Sequence, residues 1–179
     1  MRCAGLLLFA VGLAGGCSEP ARPAAVLRAE RAIDVPRMTA VETAQVRDLP
    51  SLRAELAREQ GLLETLLADL SSHSAPEAML DRVRTAVGQL DEALGQIEGY
   101  EASAGAKGRR FMARRALLNL KSAPLSLSLL VLDVPMAARE NRISADVARQ
   151  LEARARALRV SVEALGRASE DLLRPMAES

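Results

Sequence analysis

From Leu49 onward the aliphatic residues of this chain recur at alternating steps of three and four, segment after segment, and this spacing constrains the fold more than any other feature. Leu49, Leu52, Leu56, Leu63, Leu66 and Leu70 form one row, and Leu80, Val83, Val87, Leu90, Leu94 and Ile97 a second. Ala113, Leu117, Leu120, Leu127 and Val131 make a third, with Pro124 at one of its positions. In the fourth, Leu151, Leu158, Leu165 and Leu172 recur every seven residues, interleaved with Ala148, Ala155, Val162, Ser169 and Met176. Because an α-helix turns once in 3.6 residues, such steps hold side chains on one face, so each row predicts the buried stripe of an amphipathic helix. Composition agrees. There is no Trp, one Tyr and two Phe, and the apolar content rests on Leu, Ala and Val, so strong helix formers dominate over strand formers.

The rows are separated by stop and start signals. In Ser74-Ala75-Pro76-Glu77 the serine can cap a new helix, the glutamate can reach back to it, and proline is tolerated in the first turn. Glycines 99, 105 and 108 with Ser103 end the second row, and the third region begins near Arg109. Ser122-Ala123-Pro124 repeats the earlier start signal, and a proline inside a helix costs about 3 kcal/mol, so a break near Ser122 or a sharp kink is expected. Asp133-Val134-Pro135 closes that piece and Ser144 can cap the last helix. The segments 49–73, 75–99, 109–133 and 145–176 would each be about 37 to 48 Å long. Matched lengths and short joints predict an all-α, up-down-up-down four-helix bundle over residues 49–179 with an irregular N-terminal arm over 26–48; an elongated coiled-coil hairpin is the alternative. The zipper spacing of the last row also allows a parallel homodimer, although its small residues suit close packing within one bundle. A second route to a homodimer is the run 125–132, the most apolar stretch after residue 25 and too short to span a bilayer.

The chain begins differently. Met1 and Arg2 precede an uncharged apolar run from Ala4 to Leu13, and small residues then lead into Cys17. A positive start, a short apolar run and a small-residue cleavage site are the three parts of a secretory signal. Leu13-Ala14-Gly15-Gly16-Cys17-Ser18 resembles the lipobox of bacterial lipoprotein precursors. That resemblance covers residues 1–18 only. It implies a signal peptide over 1–16, a diacylated Cys17, and a tether over 17–25 extended by Pro20 and Pro23; Ser18 implies the outer membrane, on its periplasmic face. Ala14 stands three before the cysteine, where the family prefers the leucine found here at Leu13, and Ala14 with Gly16 also suits ordinary signal peptidase. Two acyl chains hold a protein firmly where one would not. Cys3 would leave with the signal, so Cys17 would be the one remaining thiol and no internal disulfide could form.

Loss of residues 1–16 removes one charge, Arg2, and balances basic and acidic residues at 23 each, which gives no electrostatic case for nucleic acid. His73 is the single histidine, at an expected helix joint, so the usual zinc, haem and di-iron ligand sets cannot be assembled and no cofactor is expected. No phosphate-binding glycine loop or nucleophile elbow occurs either, which predicts a non-enzymatic protein. Glu59 occupies a leucine position in the first row. It is either a buried carboxylate facing a basic partner or, where the stripe drifts near Gly61, an acid that reaches water; the second is expected, since Leu62 and Leu67 widen the stripe. Between Glu101 and Asp133 there is no acid, and Lys107, Arg110, Arg114 and Lys121 fall on one helical face. These four could contact an anionic surface or pair with Asp81, Asp91, Glu92 and Glu98 on the adjoining helix. The expected function is a scaffold or accessory subunit of an envelope complex, anchored through Cys17 and holding a protein partner. The alternative is a periplasmic binding protein or chaperone for apolar ligands or unfolded clients, with a groove around residues 125–132.

Overall fold

A computed structural model describes residues 46–178. The signal sequence, Cys17, the tether and most of the N-terminal arm lie outside the described residues. Four helices make up the rest: α1 (Leu49–Ser72), α2 (Glu77–Ala102), α3 (Ala106–Arg139) and α4 (Ala145–Glu178), with no strand among the described residues. Each helix packs on its neighbours in the chain, α1 closes the square against α4, and the diagonal pairs stay apart. The protein is thus an all-α four-helix bundle of antiparallel neighbours.

Local chemistry explains the ends. Asp48 caps α1: its carboxylate accepts from the Ser51 backbone N–H at 2.8 Å while Ser51 Oγ accepts from the Asp48 backbone N–H at 3.1 Å. That backbone N–H, with the Ser51 side chain, holds the Asp48 carboxyl below its ordinary value. The α1–α2 joint departs from expectation. Ser74 does not cap α2 but turns the chain, at φ 52°, and Pro76 stands at the N-cap without a side-chain bond. Glycines 105 and 108 do not hold α3 back to Arg109; it starts at Ala106, after a three-residue joint. Asn141, at φ 56°, turns the α3–α4 joint, since a short amide side chain tolerates the left-handed region. Ser144 caps α4 as expected, its Oγ accepting from the Val147 N–H at 3.2 Å.

The largest departure is α3. It neither breaks at Ser122 nor stops at Pro135 but runs 34 residues through both Pro124 and Pro135. Ser122 Oγ donates back to the Leu118 carbonyl and is an ordinary turn of the helix. Pro124 has no N–H for the Leu120 carbonyl four residues earlier. Gly166 of α4 lies against that carbonyl, so close that a Cβ there would sit 3.3 Å from the Leu120 oxygen. The backbone of α4 therefore packs closely on α3 at the carbonyl that proline leaves without its helical donor.

The core is one continuous cluster along the bundle axis. In α1 it follows the sequence row directly: Leu52, Leu56, Leu63, Leu66 and Leu70 are buried. In α2 and α3 it keeps Leu80, Val83, Leu90 and Ile97, and Ala113, Leu120 and Leu127, of the expected rows, but the other positions shift by one residue. Ala86 and Ala93 are buried where Val87 and Leu94 are partly covered, and Ala116, Ala123 and Leu130 are buried where Leu117, Pro124 and Val131 stand at the edge. Alanines on the innermost line let these helices approach closely. In α4, Leu151, Leu158 and Leu165 face inward, and near the end Leu173 and Ala177 replace Leu172 and Met176. A straight helix drifts about 20° per heptad from a strict seven-residue repeat, which accounts for the change. The zipper row thus faces the inside of the bundle.

Candidate functional site

Helix α3 is apolar on two faces. Its inner face carries the core residues Ala113, Ala116, Leu120, Ala123, Leu127, Leu130, Val134 and Ala137. The outer face carries Phe111, Leu118, Leu125, Leu129, Leu132 and Met136, which are 43 to 65% exposed. Of the large apolar side chains exposed among the described residues, only Val160 lies elsewhere. The spacing is regular: 111, 118, 125 and 132 are seven apart, with Leu129 and Met136 four residues after the last two of them. Residues 115 and 122, which complete the pattern, are Arg and Ser. The expected groove around 125–132 is therefore not one surface, because Leu127 and Leu130 are core and Leu125, Leu129 and Leu132 face outward. The double stripe also makes α3 long and apolar enough to cross a membrane by length and composition, although its inner half is occupied by the bundle.

Beside this stripe, α3 and α4 flank a crevice of about 350 Å³ where Pro124 and Gly166 meet. Pro124 and Leu125 give it an apolar wall; Lys121, Arg159, Glu163 and Glu170 give it a charged one. Lys121 Nζ lies 2.8 Å from Glu170 Oε1, and Arg174 donates to the same oxygen. These two cations, Lys121 first, hold the Glu170 carboxyl below its ordinary value.

The four basic residues picked out by spacing are not one free patch. Lys121 is paired with Glu170, and Arg114 Nε donates to the Ala177 carbonyl at 3.1 Å, where a cation suits the last turn of α4. Lys107 is exposed, and Arg110 borders a hollow of about 240 Å³ with Tyr100, Arg109 and Met176 at the start of α3. The acids of α2 play a smaller part than expected. Glu92 accepts from Asn119 at 3.1 Å and lies 4.0 Å from Arg115, whose guanidinium carbon stands 5.9 Å from the Phe111 ring centre. Arg82 of α2 reaches Asp133 at 3.4 Å, a pair that the sequence row did not suggest.

Glu59 corrects the expectation that it would reach water: it is 1% exposed and lies between α1 and α4. The stripe does not drift at Gly61, so the acid enters the core in register with the leucines. Ser161 Oγ donates to its Oε1 at 2.7 Å, and Arg58 approaches the same oxygen at 2.9 Å, while its Oε2 has no partner among the described residues. Removal from water raises its pKa, against the lowering effects of Ser161 and Arg58. Farther along the same seam, Arg154 is buried and paired with Asp69. Both α4 partners, Ser161 and Arg154, escaped the sequence reading because neither lies in the row of every seventh residue. His73 sits at the α1–α2 joint as expected, where its N–H closes α1 on the Asp69 carbonyl at 3.1 Å. Among the described residues no group of three or more His, Cys, Asp or Glu side chains is placed to hold a metal ion.

No family model, curated protein or solved structure matches this chain.

Proposed function

We propose that this protein is a non-enzymatic lipoprotein anchored through Cys17 on the periplasmic face of the outer membrane, whose bundle serves as a scaffold or accessory subunit of an envelope complex. The observation that carries the scaffold reading is the outer stripe of α3, six large apolar side chains left open to solvent on a bundle whose core is otherwise closed. Contiguous exposed apolar surface on a folded domain marks an interaction site more often than a scatter of single residues does. The anchor reading is supported by the lipobox-like sequence at Leu13 to Ser18.

Two experiments test the two halves separately. Fatty-acid labelling in cells should mark the wild-type chain and leave Cys17→Ser unlabelled and released from the envelope; an unlabelled wild type removes the anchor. A photo-reactive amino acid in place of Leu125 should cross-link to protein in the intact envelope; the absence of any protein adduct removes the scaffold, and an adduct of two copies of this chain alone assigns the stripe to self-association and leaves the scaffold without its support. The crevice at Pro124 favours a second reading, a site for small apolar ligands beside a charged rim. In that case a fluorescent apolar probe binds the native protein and no longer binds Ser128→Phe, whose ring would fill the crevice from its rim.

A further inference from the structure

We infer that the outer stripe of α3 is a self-association surface: two copies pair through it, α3 against α3, running antiparallel about a two-fold axis near residue 127. The inference does not depend on the lipid anchor. It rests on the spacing of the stripe, its area, and the charge along α3.

Phe111, Leu118, Leu125, Leu129, Leu132 and Met136 follow the seven-residue repeat by which one helix packs into another. Polar residues close on both flanks, Asn119, Ser126 and Asp133 towards α2 and Lys121 and Ser128 towards α4. A face laid into lipid would bring these and the pairs Arg82–Asp133 and Lys121–Glu170 towards a medium that solvates charge poorly, whereas a helix covers the seam and leaves them in water. At these exposures the six side chains present on the order of 600 Å² of apolar surface, the upper end of what a monomer normally shows. Phe111 lies beyond the overlap of the two helices, so a pair covers the other five side chains of each copy and removes on the order of 1,000 Å² from water, the threshold for a specific interface.

Charge chooses the direction. A parallel pair would bring Arg114, Arg115 and Lys121 of both copies side by side, with only Glu92 and Glu170 of each copy's own bundle beside them. The antiparallel arrangement sets Arg114 against Glu140 and Lys121 against Asp133 of the second copy, and leaves one like-charged approach, Arg115 to Arg139, in place of the three of the parallel pair. With Leu125 opposite Leu129 of the second copy, Leu118 meets Met136 and Leu132 meets the small Ser122, so every layer from 118 to 136 is filled by at least one large apolar side chain.

The test is sedimentation equilibrium of the purified full chain under reducing conditions across the micromolar range, with Leu125→Glu/Leu132→Glu beside it. Both leucines are exposed, so the variant keeps its fold, and far-UV circular dichroism checks this. A concentration-dependent dimer whose dissociation constant rises by more than about 30-fold in the variant supports the inference, since two central apolar anchors are replaced by charge. A wild-type monomer throughout, or a dimer equally strong in the variant, overturns it. So does binding to phosphatidylglycerol vesicles that the variant loses while the wild type stays monomeric, because the stripe is then a lipid face.

Direction is read with a short bismaleimide on chains carrying Cys3→Ser and Cys17→Ser. Ser128→Cys, beside the axis, should cross-link to its own copy. Leu118→Cys should not, its two copies lying about 27 Å apart along the helix. The opposite pattern overturns the antiparallel arrangement.

Discussion

The two seams that hold α4 are built on opposite principles. Against α1 it meets a row of leucines interrupted by two polar contacts, Glu59 with Ser161 and Asp69 with Arg154. Against α3 it meets backbone, Gly166 on the Leu120 carbonyl, in a helix half of whose inner residues are alanine. The first seam gains its stability from side-chain volume and gives up part of it to buried charge; the second gains it from close approach of two helices. A leucine seam should therefore fail when volume is removed, and a glycine seam when volume is added.

Removal should have the largest effect. Leu63 is fully buried in α1, and Leu63→Ala should lower stability by about 3 kcal/mol, through lost burial and the cavity left behind. Urea unfolding followed by circular dichroism measures it. A loss below that of an exposed apolar residue off the α3 stripe, such as Val160→Ala, would mean that α1 is not held by volume.

Addition comes next, at the other seam. A Cβ on Gly166 already stands at 3.3 Å from the Leu120 oxygen, and a full leucine there must push α3 and α4 apart, at a cost of about 2 to 3 kcal/mol. Gly166→Ala should change stability by less than about 1 kcal/mol, because its tight contact is offset by the better helix propensity of alanine. If leucine is tolerated as well as alanine, the seams do not differ in the way described.

The polar contacts of the α1 seam sharpen the contrast. Asp69→Ala leaves the Arg154 guanidinium buried without its carboxylate, and the expected loss is about 2 kcal/mol, reduced from the full cost of breaking a buried pair because Asp69 is partly solvated. Replacing both residues, Asp69→Ala with Arg154→Met, should recover most of the loss. Failure to recover would make the pair a net source of stability.

The same contrast explains how far the sequence could be read. The α1 stripe was legible residue by residue because leucine fills every inward position but one, and the helix count and pairing followed from the rows. Alanine lines were not legible, because an alanine beside a valine or leucine looks like the flank of a stripe; so Leu117 and Val131 stood in for Ala116 and Leu130, and Pro124 was placed on the seam it only borders. The backbone that packs on α3 at Pro124 belongs to Gly166, 42 residues beyond the proline in sequence, and no local signal carries that contact. The outer stripe was hidden for a related reason: Leu125 to Leu132 is apolar at nearly every position, and only the orientation of the inner face shows which of its leucines are left over.

The smallest expected effect is the most informative about Glu59. Glu59→Leu completes the leucine row, removes a carboxylate with one unpartnered oxygen, and leaves Ser161 free to donate to its own helix; near neutral pH it should stabilise the protein by about 1 kcal/mol. The pH dependence separates charge from packing. Burial raises the pKa of Glu59 in the folded protein above its ordinary value of 4.5, so folding favours the protonated acid. The stability contributed by protonated Glu59 is fully present below 4.5 and is lost as pH rises through the raised folded value. The advantage of Glu59→Leu should accordingly be smallest below pH 4.5, grow through that window and then level off, as urea unfolding at a series of pH values would record. An advantage independent of pH would assign the gain to packing alone. A loss at neutral pH would show that the bonds from Ser161 and Arg58 outweigh the cost of burying the charge, and that the carboxylate helps hold α1 on α4.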